Sequence, residues 1–193
     1  MRTRLVAGAA LVVLLGGFAA IVFSGRPSDD ASRETVPVTT TASANAPTPT
    51  PPKPKRVRIP VKGIGAYDPD GDRAENDSAA TLSTDGVFST AWKSERYRRS
   101  FTKTGVGLVL DAGQPVEATR VVVSTETPGY MADVRVGSSP TGPFVSISNE
   151  QSMRARTTFV LKPRSGRYVL LWITSMPEEG AAAVNEITVS AAG

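Results

Sequence analysis

From Leu5 to Phe23 the chain is apolar without a break, bracketed by Arg2 and Arg4 on one side and Arg26 on the other. This run decides where everything after it can fold. It holds no charge and no proline, so nothing interrupts a single helix. At 1.5 Å rise per residue it reaches about 28 Å, close to the roughly 30 Å hydrocarbon core of a bilayer. A soluble core helix would show a polar face, and this one has none. Two readings remain: an uncleaved membrane anchor or a cleaved signal peptide. A signal peptide has an apolar region of about 7–15 residues and a small-x-small cleavage site. This run is longer, and its best cleavage candidate, Val22-Phe23-Ser24, is poor. The anchor is therefore expected, with residues 1–4 as a cytoplasmic tail, 5–23 spanning the cell membrane once, and all that follows extracytoplasmic by the positive-inside rule.

The formal charge of +4 invites a nucleic-acid partner, but its location argues against one. Residues 1–60 carry eight basic and three acidic side chains, and the rest carry fourteen basic and fifteen acidic. The excess belongs to the anchor and tether, and nucleic acid is not an expected partner. There is no cysteine and no histidine. That excludes thiol chemistry, Ser-His-Asp catalysis and the usual zinc sites, and leaves carboxylate pairs and oxygen-ligated calcium.

Residues 24–58 are rich in Pro, Thr, Ser and Ala, with almost no large apolar side chain before Val57. Such a segment buries too little surface to offset chain entropy, so a disordered, partly polyproline-like linker is expected. Residues 59–191 then read as short apolar runs separated by turn residues. They include Gly105 to Leu110, Thr119 to Ser124, Tyr130 to Val136, Thr157 to Leu161, Arg167 to Thr174 and Val184 to Ser190. Asp111-Ala112-Gly113-Gln114-Pro115 reads as a turn. The runs are of strand length and rich in β-branched residues, and no helical periodicity follows the anchor. The expected fold is all-β, a β-sandwich behind the membrane helix and linker.

Three constellations could carry chemistry. In the first, Asp68, Asp70 and Asp72 alternate around Gly71, with Glu75 close behind. This looks like the opening of a calcium loop, although no glutamate falls at the twelfth position; otherwise it is a solvated acidic turn. In the second, Lys93 to Lys103 sets five basic side chains against Glu95, with Tyr97 and Phe101 among them. Arg96, Tyr97, Arg98 and Arg99 form a candidate ligand-binding loop for anionic or sugar groups, or else a solvated loop over packed aromatics. Tyr130, after Pro128-Gly129, is a further candidate for an exposed aromatic, whereas Trp92 and Trp172 are expected in the core.

The third is Thr84-Asp85-Gly86-Val87-Phe88-Ser89-Thr90-Ala91-Trp92. An Asp-Gly turn followed by Thr and a strand-opening Trp resembles the signature of galactose-binding-domain-like folds, including discoidin or coagulation-factor type C domains and many carbohydrate-binding modules. The segments AYDPDGDRAEND, STAWKSERY, GVGLVLD and TPGY are similar to the extracytoplasmic C-terminal domain of actinobacterial MviN-type proteins and membrane serine/threonine kinases. The resemblance covers about Val61 to Val189, without any kinase or flippase segment. It implies a jelly-roll sandwich. It also implies that a structural calcium could sit between the Asp-Gly loop and a late glutamate, with Asp85, Thr90 and Glu186 as its side-chain ligands. The alternative is that Asp85 only shapes its turn and Glu186 pairs with an arginine.

The expected function is a non-catalytic module binding cell-envelope glycan or an envelope protein. The rivals are a carboxylate-dependent glycan hydrolase and a scaffold for another membrane protein. The anchor is testable directly. Mass spectrometry of the membrane fraction should recover the N-terminal peptide attached to the chain. A mature N-terminus near Gly25 in soluble material would contradict it.

Overall fold

The computed structural model describes residues 55–98 and 100–193. The apolar run, nearly all of the linker and Arg99 lie outside them. Among the described residues, no helix is long and apolar enough to cross a membrane. In chain order the strands are β1 (Arg56–Ile59), β2 (Lys62–Tyr67), β3 (Trp92–Lys93), β4 (Val106–Glu117), β5 (Arg120–Ser124) and β6 (Met131–Gly137). Then come β7 (Val145–Ser146), β8 (Gln151–Ser152), β9 (Arg156–Val160), β10 (Ser165–Ile173), β11 (Ala183–Val184) and β12 (Glu186–Ala192). The only described helix is a 3-10 segment, Asp77–Ser83.

Two antiparallel sheets make a β-sandwich. One has the order β1-β12-β5-β9 and the other β2-β4-β10-β6-β7, with β8 also paired to β6; β3 and β11 form a separate short ladder. Alternation puts Val121, Val123, Phe159, Ile187 and Val189 on the inner face of the first sheet. They share one core with Leu108, Leu110, Val134, Val169 and Leu171 of the second. Burying each such side chain contributes about 1.5–3 kcal/mol before chain entropy is counted. Trp92 and Trp172 are buried, as expected of them. Trp172 lies on the far face of the second sheet with Val109 and Leu170, packed against Tyr67, Phe144 and Tyr168.

The structure moves two boundaries. β1 starts at Arg56, inside the stretch assigned to the linker, and β12 runs to Ala192, one residue past the expected end. The cause is non-local: Arg56 to Ile59 pair with Ala192 to Val189, and no local pattern announces a partner so distant in sequence. Likewise, Asp111 to Pro115 does not end its strand. β4 continues to Glu117, and residues 112–115 bulge opposite Arg167 alone, with Gly113 supplying a positive φ of 76°. Arg167 then clamps Asp111 through two hydrogen bonds of 2.8 Å each.

This topology separates two ends. Lys55 and Gly193 meet beside the β1–β12 ladder. The loops 68–76, 84–91, 94–105, 125–130 and 174–182 gather at the opposite end, where β2 and β10 finish and β12 begins.

Candidate functional site

The loop end is organised by a buried polar cluster. β2 ends at Tyr67, and the chain turns through the acidic loop before the 3-10 segment. Asp68 is 2% exposed and Glu75 0%, so the loop is anchored at both ends, while residues 69–74 between them are exposed. Lys103 explains the difference. Its Nζ lies 2.9 Å from Asp68 Oδ2 and 3.1 Å from Glu75 Oε1, and it donates to the Tyr97 hydroxyl at 2.9 Å. The Tyr97 hydroxyl in turn donates to Glu75 Oε1, and the Glu95 amide donates to Glu75 Oε2 at 2.6 Å. Trp92 Nε1 reaches the Glu75 carbonyl at 2.8 Å. A methyl group at Gly71 would collide with Asp68 Oδ2 and Lys103 Nζ, so only glycine lets the loop close over the ion pair.

Burial by itself would lower the Lys103 pKa, but its contacts with Tyr97, Asp68 and Glu75 outweigh that and push it up. Burial and the adjacent Glu75 raise the Tyr97 hydroxyl as well. The remaining acids of the loop brace its backbone. Asp70 accepts from the Thr104 hydroxyl and amide, which hold its carboxyl below the usual range. Asp72 accepts from the Ala74 amide, and Asp77 from Ala66 and Glu75. Among the described residues, no three acidic side chains converge on one point, so Asp68, Asp70, Asp72 and Glu75 do not form a calcium loop.

The arginine loop sits beside this cluster. Its first residues run antiparallel to Gly180–Val184: β3 pairs with β11, the Ser94 amide donates to Ala182 and the Tyr97 amide to Gly180. Arg96 is thereby brought to Glu179, whose carbonyl it meets at 2.8 Å. Arg96 and Arg98 share an open hollow of about 430 Å³ with Glu178 and Glu179. The acids that moderate this patch lie about eighty residues away in sequence. Tyr97 is half-buried, packed edge-on against Phe101 at 4.9 Å, with its hydroxyl committed inward. Tyr130 is a correction: it is fully buried, and its hydroxyl donates to the Ala183 carbonyl. Gly129, with φ of 104°, turns the chain into the core rather than presenting the ring to solvent.

At the third constellation, Asp85 shapes its turn by accepting from the Val87 amide and the Thr90 hydroxyl, both at 2.8 Å. Glu186 is 6% exposed; Oε2 accepts from the Gly86 amide, and Oε1 has no hydrogen-bond donor, with Arg58 Nη2 3.6 Å away. Burial raises the Glu186 pKa. The Phe88 and Thr90 carbonyls accept from the Asn185 amide. Two carboxylates, a hydroxyl and loop carbonyls are hard oxygen donors of the kind calcium takes, but each except Glu186 Oε1 already carries a hydrogen bond, and Arg58 stands beside that oxygen.

No family model matches the chain, and no curated protein matches it by sequence. Solved structures do resemble it. A truncated AlyQ with CBM32 and alginate lyase domains gives a TM-score of 0.57 at 13% identity over 73% of this chain, which spans 34% of that one. The family 32 carbohydrate-binding module of Clostridium perfringens NanJ, solved with galactose, gives 0.54 at 12% identity, covering 71% of this chain and all of that one. The CBM32 of AlyQ, solved with 4,5-unsaturated mannuronic acid, gives 0.52 at 13% identity over 69% of this chain and 97% of that one. The β-sandwich is thus the one found in CBM32 carbohydrate-binding modules.

Replacing Lys103 by Met should cost about 3–5 kcal/mol in urea unfolding, because it strands two buried carboxylates. A loss below about 1 kcal/mol would contradict the cluster's role. In the wild type, the raised Lys103 pKa adds stability that is fully present below about pH 10.4, the unfolded lysine value, and is lost as pH rises through the folded value.

Proposed function

We propose that the chain is a membrane-anchored, extracytoplasmic, non-catalytic module that binds an envelope glycan. The observation that carries this reading is a fold shared with glycan-binding modules, with the tethered strand at one end and the loops at the other. Binding is favoured over hydrolysis because the buried acids of the loop end are engaged, Asp68 and Glu75 by Lys103 and Glu186 by the Gly86 amide and Arg58. Kinship with the extracytoplasmic domain of actinobacterial MviN-type proteins and kinases is part of the same proposal and rests on the sequence segments alone. In this reading Arg96, Arg98 and Arg99 contact the glycan at the loop end, Arg98 more freely than Arg96, which is already bonded to Glu179.

Full-length protein should be retained on envelope glycan isolated from its source organism, and R96S/R98S/R99S should lose most of that retention with an unchanged melt. Failure of the wild type to bind would overturn the glycan reading. Equal retention of the variant would remove the arginine loop from it.

Calcium is proposed as a structural ion held by Asp85, Thr90 and Glu186. At a hundredfold excess over its dissociation constant it would add about 2.7 kcal/mol. Chelator should lower the Tm of the wild type and leave Glu186→Gln unmoved. Identical wild-type melts with and without chelator would eliminate the ion.

A further inference from the structure

The outer face of the four-stranded sheet carries a groove that shares no lining residue with the arginine loop. Its composition follows from register. Arg58 lies opposite Ser190, which faces Arg120; Thr188 faces Val122, which faces Thr158; Glu186 faces Ser124, which faces Arg156. Small hydroxyl and aliphatic side chains therefore pave the floor, and guanidinium groups stand at the margins. A hollow of about 190 Å³ lies between Arg58 and Arg156, floored by Val122, Ser124 and Thr188 and flanked by Phe88. Two more hollows, of about 360 and 630 Å³, adjoin Arg156, which lines all three. Three interstrand spacings separate β1 from β9, about 14 Å in all.

The charge here is one-sided. Arg58, Arg120, Arg154 and Arg156 face three acids, Asp85, Glu126 and Glu186, of which Glu186 offsets part of the Arg58 charge. Glu126 is paired with Lys93 at 2.7 Å. Glu186 is sunk in the floor and positions Arg58 from below. Arg120 Nη2 is fixed along the floor by Thr158 Oγ1 at 3.1 Å. Among the described residues, Arg154 and Arg156 have no ion-pair partner. Phe88 stands on the Asp85 turn with 61% of its surface exposed, an apolar ring open to solvent at the edge of a cationic trough.

Guanidinium forks match carboxylate and phosphate, a bare aromatic face suits a sugar ring, and Ser and Thr hydroxyls pair with sugar hydroxyls. An acidic protein partner would call for a contiguous apolar interface core, and this face offers only Val122, Val160 and Phe88, set among arginines and hydroxyls. We propose that the groove binds an extended acidic oligosaccharide, with its carboxylate or phosphate groups on Arg58 and Arg156 and a ring laid on Phe88. This goes beyond the arginine-loop reading: it assigns a second glycan surface and rests only on the glycan class of that reading.

The test is a titration of the full-length chain in nonionic detergent with three probes: a galacturonic acid hexamer, its methyl ester and a glycerol phosphate hexamer. One acidic hexamer should bind, its affinity falling between about 0.05 and 0.5 M salt, and which one binds distinguishes carboxylate from phosphate. The ester should not bind. R58S/R156S should weaken binding about tenfold or more, Phe88→Ala should weaken it several-fold, and R96S/R98S/R99S should leave it unchanged, each variant still folded at the titration temperature as shown by a cooperative melt above it. The proposal is overturned if neither acidic hexamer binds at millimolar concentration, if the ester binds equally, or if R58S/R156S binds as the wild type does. Retention of R58S/R156S on whole envelope glycan, with loss in R96S/R98S/R99S, would refute the groove and leave the glycan reading standing. No retention of the wild type would remove both.

Discussion

One ammonium group, Lys103 Nζ, holds the loop end of the sandwich together. It sits within hydrogen-bond reach of Asp68, Glu75 and Tyr97, which come from two different loops. Burying two carboxylates is expensive, and their attraction to a single cation offsets that only if the remaining lone pairs find donors. Glu75 meets this condition through the Tyr97 hydroxyl and the Glu95 amide. Asp68 meets it less completely: neither of its oxygens has a hydrogen-bond donor, and Oδ2 has only the ion contact with Lys103 at 2.9 Å. The cluster is therefore better understood as a device that fixes loop geometry than as a large net source of stability. The acidic loop, the arginine loop and, through the β3–β11 ladder, the Glu178–Gly180 segment all take their positions from it.

Much of the fold was legible in local sequence. Thr119 to Ser124 and Thr157 to Leu161 announce themselves by β-branched content, and the Asp85 turn by Asp-Gly. What stayed hidden depends on partners remote in the chain. β1 is a strand only because β12 lies beside it, and residues 112–115 are a bulge only because β10 continues past them. Lys103 was visible as one positive charge in a basic run, but nothing local says that it points inward. Tyr130 misled for a similar reason: Pro-Gly marks a turn without fixing which way the next ring faces. Arg156 carried no motif at all, and Phe88 stood in the Asp-Gly segment without a role of its own. They meet because Ser124 lies between β9 and the Asp-Gly loop, a fact of sheet register rather than of spacing along the chain.

Two surfaces emerge with different electrostatic character. At the loop end, Arg96 and Arg98 are moderated by Glu178 and Glu179. On the sheet face, Arg154 and Arg156 meet no such opposition, and the nearby acids are either ion-paired or sunk beneath Arg58. A near-neutral domain with four arginines gathered on one sheet face is suited to a polyanion carrying few apolar groups. Such contacts are screened by salt and would give modest, tunable affinity for each unit, which a repeating polymer multiplies.

The organising role of the buried cluster can be measured without altering a residue. Amide hydrogen exchange at Glu95 reports on the bond from its N–H to Glu75 Oε2, in a loop whose residue 95 is itself exposed. If Lys103 and Glu75 hold the loop end as described, the Glu95 amide exchanges as slowly as those of the core strands β4 and β10. If it exchanges at the rate of a free surface loop while β4 and β10 stay protected, the cluster does not organise this end of the protein.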